Sequence, residues 1–236
     1  MHATIRCLAI TNTLLLFATL SALGQHRSFI TQDAGPYWRV DLGSTIPQDN
    51  HLTDFGGLTS GNQIRYEVGF ALDAALGYAF NKYVATELET GWTWNAIDSI
   101  QGLQVDDTSF STIPIFANVV LQYPIPRTVV VPYIGGGVGG AATIFDTDGV
   151  FYQTSSGGLG FYGTSSDFVF AYQGFAGVRL ELNKQMQFGV GYKYFATNRS
   201  TFGEDTDYYY YYGPELHLGI SDQAIHMALL TFTFKF

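Results

Sequence analysis

The feature that most constrains this chain is a period of two that persists along nearly all of it beyond the first two dozen residues. Residues 64 to 80 show it best. Ile64, Tyr66, Val68, Phe70, Leu72, Ala74, Leu76, Tyr78 and Phe80 share one parity, and Arg65, Glu67, Gly69, Ala71, Asp73, Ala75, Gly77 and Ala79 share the other. Successive side chains of a strand point to opposite faces, so this segment presents one apolar, aromatic wall and one charged or very small one. At about 3.3 Å per residue it is a long strand, and a strand crossing a bilayer needs only about 9 to 11 residues.

The alternation recurs around Val40, Trp92, Ile115, Val138, Tyr172, Val190 and Phe232, which makes eight strands. Their connections alternate in length. Asn81-Lys82, the segment 124–128 and Asn183-Lys184-Gln185 are tight; the segments 45–62, 98–111, 145–166 and 197–223 are long and read as loops. Short turns on one side and long loops on the other predict an all-β fold, an eight-stranded antiparallel transmembrane β-barrel with short periplasmic turns and long outer loops. Closure leaves no strand edge unpaired in lipid. Aromatics cluster at both ends, with Tyr78, Phe80, Tyr83 and Tyr123 beside the turns and Trp92, Trp94, Tyr192 and Tyr194 toward the loops. Two interfacial girdles are expected.

Residues 1–24 read as a secretory signal: Arg6, an apolar run from Cys7 to Leu20, and small Ala22 and Gly24 before a cut at Gln25. The barrel domain is expected to span 25–236. The only cysteine is Cys7, so the mature chain is expected to form no disulfide and no thiolate metal site. No run of eighteen apolar residues follows the signal, which argues against a helical membrane protein. A formal net charge of −9 argues against nucleic acid as a partner.

Parity assigns eleven charged residues to the interior: Arg39, Arg65, Arg179, Lys193 and Lys235 against Asp41, Glu67, Asp73, Glu87, Glu89 and Glu181. An eight-stranded barrel encloses only a narrow space, and buried charge is costly unless paired. The near balance predicts a salt-bridged plug, with a narrow polar channel as the rival reading.

The stretch Pro132-Tyr133-Ile134-Gly135-Gly136-Gly137-Val138-Gly139 and the ending Leu229-Leu230-Thr231-Phe232-Thr233-Phe234-Lys235-Phe236 carry a family resemblance. With the strand-loop rhythm, they resemble the outer-membrane barrels related to the OmpA N-terminal domain and to OmpW, over residues 37–236. The resemblance implies location in the cell outer membrane, contact with its lipid, and an assembly signal at Phe232, Phe234 and Phe236 read by the barrel-assembly machinery. It implies a structural or surface-interaction barrel, or else a narrow channel for ions or small solutes.

A lipid-modifying enzyme is the third possibility. Glu215, His217 and Ser221 are the nearest approach to an acid, base and nucleophile, but their spacing matches no recognised catalytic motif. No catalytic residue and no cofactor is expected. The glycine stretch lacks the Lys-Ser/Thr of a phosphate loop. Asp146-Thr147-Asp148 and Glu204-Asp205-Thr206-Asp207 offer oxygens to a divalent cation without a full calcium-loop pattern. Five consecutive tyrosines, Tyr208 to Tyr212, suggest a contact surface on the last loop.

Overall fold

A computed structural model describes residues 34–55, 61–154, 157–203 and 217–236. Among these residues twelve strands run in chain order: β1 Gly35–Pro47, β2 Asn50–Phe55, β3 Gln63–Tyr66, β4 Gly69–Ala79, β5 Val84–Ile100, β6 Gln104–Gln122, β7 Val130–Thr154, β8 Gly157–Glu181, β9 Met186–Thr197, β10 Ser200–Gly203, β11 His217–Ile220 and β12 Gln223–Lys235. Eight of them close a ring in the order β1-β4-β5-β6-β7-β8-β9-β12-β1, every neighbour antiparallel. The tight turns use their asparagines. Asn81 Oδ1 accepts from Tyr83 and Val84 N–H, and Asn183 Oδ1 from Gln185 and Met186 N–H, so each side chain closes the hairpin locally.

Among the described residues the long connections are mostly strand, which corrects the loop reading of the sequence. β7 and β8 run for 25 residues each, paired almost to their tips. β2, β3, β10 and β11 continue β1, β4, β9 and β12 beyond short breaks at 48–49, 67–68, 198–199 and 221–222. In this upper tier β11 pairs with β2, β2 with β3, and β3 with β5, so the neighbour order of the ring repeats. β10 is joined to β8, and to β7 beyond it, by side chains. Asp167 Oδ2 accepts from Thr201 N–H, Ser165 Oγ donates to the Gly203 carbonyl, and Thr143 Oγ1 bonds Ser200 Oγ.

The two tiers have opposite polarity. In the lower tier the outward side chains are apolar: Leu42, Leu72, Leu88, Ile115, Val138, Phe170 and Val190 are all exposed. The eleven residues of β4 match the length a tilted strand needs to cross hydrocarbon. In the upper tier the apolar residues point inward. Leu52, Phe55, Ile64, Ile97, Ile100, Phe110, Phe145, Val150, Phe161, Phe202, Leu218 and Ile220 form one buried cluster, while Asp98, Asp106, Asp146 and Thr164 face out.

Residues 64 to 80 are therefore not one strand. The even parity stays apolar throughout, but the place where apolar groups are stable changes from the upper core to the lower exterior. The backbone turns over at Glu67-Val68, beside an irregularity at Arg65/Tyr66, so Ile64 faces in and Leu72 faces out.

Candidate functional site

Alternation along the lower strands brings nine of the eleven sequence-assigned charges into one lumen. Arg65 and Glu67 are not among them. Both are exposed, Arg65 in the upper tier and Glu67 at the reversal just described. Their removal from the five cations and six anions leaves four and five: Arg39, Arg179, Lys193 and Lys235 with Asp41, Asp73, Glu87, Glu89 and Glu181. All but Lys235 are buried, and its side chain is 17% exposed at the turn end.

Glu89 is the hub. Its Oε2 accepts from Arg39 Nη2 at 2.7 Å and Asn118 Nδ2 at 2.9 Å. Its Oε1 accepts from Lys193 Nζ at 2.6 Å and Gln173 Nε2 at 3.1 Å. Four donors fill the acceptor capacity of one carboxylate. Lys193 also reaches Asp73 at 2.5 Å. Arg39 also bonds Asp41 at 2.6 Å and Glu87 at 2.7 Å, and the Tyr37 hydroxyl donates to the other Glu87 oxygen at 2.7 Å. Arg179 lies 4.0 Å from Glu87, and Lys235 lies 3.6 Å from Glu181. Arg179, Glu87, Arg39, Glu89, Lys193 and Asp73 thus form one chain of ion pairs, and Lys235–Glu181 is a further pair at the turn-end mouth. Asn118 and Gln173 were visible in the sequence only as inward polar residues; nothing in their spacing marked them as donors to Glu89.

Glycines make room for this chain. Tyr37 sits opposite Gly77 in the ladder, Tyr133 opposite Gly177, and Phe175 opposite Gly135. A Cβ on Gly77 would fall 2.3 Å from the Tyr37 ring. Each ring lies across its neighbour's missing side chain, which is how aromatics cover strand glycines. Arg179 then stacks over Tyr133 at 4.1 Å and Arg39 over Phe175 at 5.5 Å.

An apolar layer bounds the charges on the loop side, and a second apolar cluster is interleaved with them nearer the turns. Tyr37, Ala79, Ala85, Val120, Tyr133 and Phe175 cluster toward the turns. Phe116, Phe195, Met227 and Leu229 cluster on the loop side, with Phe116 and Phe195 edge to face at 5.8 Å. The upper core stands beyond them.

The remaining sequence candidates fall elsewhere. Phe232 and Phe234 pack on Trp38 across the β1–β12 pairing, and Phe236 is exposed at the last strand's end. His217 pairs with Gly203, whereas Ser221 lies at the β11–β12 break, where its Oγ accepts from His51 N–H; Glu215 lies outside the described residues. Asp146 accepts from Thr164, and no group of three metal-ligating side chains occurs among the described residues. Glu204 to Asp207 and Tyr208 to Tyr212 lie outside them.

The family model for the outer membrane protein beta-barrel domain matches residues 13–221. Among solved structures, the outer membrane protein OprG from Pseudomonas aeruginosa superposes with a TM-score of 0.59 at 15% identity, covering 89% of this chain and 100% of that one. Neisserial surface protein A superposes with a TM-score of 0.54 at 14% identity, covering 86% of this chain and 99% of that one. Identities this low carry the fold and nothing finer. No curated protein sequence matches the chain significantly.

Proposed function

The chain belongs to the outer membrane protein β-barrel family, and we propose that it serves in the outer membrane as a structural or surface-interaction barrel with a plugged, non-conducting lumen and no catalytic role. The observation that carries this reading is the saturation of Glu89. A carboxylate with four protein donors offers a permeating ion nothing, and moving Arg39 or Lys193 aside would strand a charge in a narrow interior. The apolar layer on the loop side supports the same reading, since an ion would have to shed water to pass Phe116 and Phe195. The strand-paired upper tier, acidic outside, is the surface left for contact with other molecules. Recognition of Phe232, Phe234 and Phe236 by the assembly machinery forms part of the proposal.

The test is single-channel recording from refolded protein lacking residues 1–24 in planar bilayers. Silence from protein shown to be folded and inserted is the expected result. Reproducible discrete conductance steps would overturn the plug and make the same charges selectivity determinants.

A further inference from the structure

We propose that the lower tier holds an anionic glycerophospholipid of the periplasmic leaflet at the β6–β7 hairpin. A shallow groove open to the outside, of about 320 Å³, lies there, lined by Leu121, Gln122, Tyr123, Pro132, Tyr133 and Ile134. Leu121, Tyr123 and Ile134 are exposed on the lipid-facing side. The groove's lining is three consecutive residues of each of two paired strands, Leu121 opposite Ile134 and Gln122 opposite Tyr133, with Tyr123 N–H bonded to the Pro132 carbonyl at the turn-side end. In a bilayer such a groove is filled by an acyl chain.

The headgroup end is marked by charge. Tyr123 stacks on Tyr83 with ring centroids 6.2 Å apart and planes within 17°. Lys82 Nζ lies 4.9 Å over the Tyr83 ring. On the other side Arg127 sits at the hairpin tip in the left-handed region, with φ of 67°. Thr128 N–H and Oγ1 both bond the Ile125 carbonyl and fix that turn. Glycine would adopt this φ without strain; the chain places a guanidinium there instead.

The three turns at this end contain Lys82, Arg127 and Lys184 and no Asp or Glu, the reverse of the acidic far end. Two cations at the end of an apolar groove complement a phosphodiester with an acyl chain attached. A guanidinium adds paired donors suited to phosphate oxygens.

The experiment reconstitutes the protein lacking residues 1–24 in nanodiscs of equimolar phosphatidylglycerol and phosphatidylcholine. The protein is then released into detergent and its retained lipid counted by native mass spectrometry. One phosphatidylglycerol retained at least five-fold over phosphatidylcholine is expected. Lys82→Gln with Arg127→Gln should abolish that preference, and Ile134→Trp should reduce retention of both lipids by filling the groove. Each variant is first shown folded by its heat-dependent gel mobility. Equal retention of the two lipids by the wild type overturns the proposal, as does a preference that survives loss of both cations. Should the double variant fail to fold, Arg127→Gly, which relaxes the turn, must still lower the preference.

Discussion

The lower and upper tiers are built from one continuous wall, yet they are inside out relative to each other. Below, Leu72, Ile115 and Phe170 face outward and Glu89 and Lys193 face inward. Above, Phe110, Phe145 and Phe202 face inward and Asp98 and Asp106 face outward. The difference teaches that side-chain direction in a barrel is set by the solvent at each height. Lipid outside drives polar groups into the lumen, where they must pair. Water outside lets the lumen be an ordinary apolar core.

Two chemical routes achieve the inversion. β6 passes through unbroken and keeps its inward parity. Its sequence switches instead, from apolar odd positions such as Ile113 and Ile115 to an inward Phe110. The β3/β4, β1/β2, β9/β10 and β12/β11 pairs do the opposite. At their breaks the backbone turns over, so Leu42, Leu72, Val190 and Leu230 face lipid while Leu52, Ile64, Phe202 and Leu218, of the same parity, face the core.

The comparison breaks first at its keystone. Glu89→Ala leaves Arg39 and Lys193 short of an acceptor in the lumen and should lower stability by about 3–5 kcal/mol, read from urea unfolding in micelles. Asp106→Asn on the upper exterior should change it by less than about 0.5 kcal/mol. A similar loss from both would mean that the lumen is as wet as the rim.

Phe110→Ala should cost about 3–5 kcal/mol, but confined to the upper tier. Protease cleavage and amide exchange should rise in 104–112 and 145–151 while the heat-dependent gel shift is retained. Loss of the whole barrel would show that the tiers are one cooperative unit.

An outward charge sharpens the boundary between them. Leu72→Arg should cost about 2–4 kcal/mol near mid-bilayer, and Ser109→Arg on the outer face above should cost almost nothing, both by the same unfolding titration. The smallest effect is expected at the upper seam. Asp167→Asn weakens the acceptor for Thr201 and Phe168 N–H and should loosen the β8–β10 join by about 1 kcal/mol, seen as faster exchange at 200–203 alone.

The lower tier was legible in the sequence because lipid imposes strict alternation, and the eight strands, three tight turns and lumen charges follow from it. The upper tier was not. Its strands carry Gly, Asp, Ser and Thr on a face that meets water, as in Ser109 and Thr164, and so they read as loops. Arg65 and Glu67 were misplaced for a related reason. Parity records that Ile64 and Leu72 are alike but cannot say that one meets a core and the other lipid. Glu89 was legible as inward and charged; its role as hub was not, because its donors Arg39, Asn118, Gln173 and Lys193 come from four other strands.

The most direct test of the inversion is fluorescence quenching at single outward positions. The chain without residues 1–24 has no cysteine, so one environment-sensitive label can be placed at Leu72, Ile115, Val138 or Phe170 below and at Asp98, Asp106 or Thr164 above. Brominated lipid should quench the first group and aqueous iodide the second. Lipid quenching at Asp106 or Thr164, or iodide quenching at Ile115 and Val138, would contradict the account.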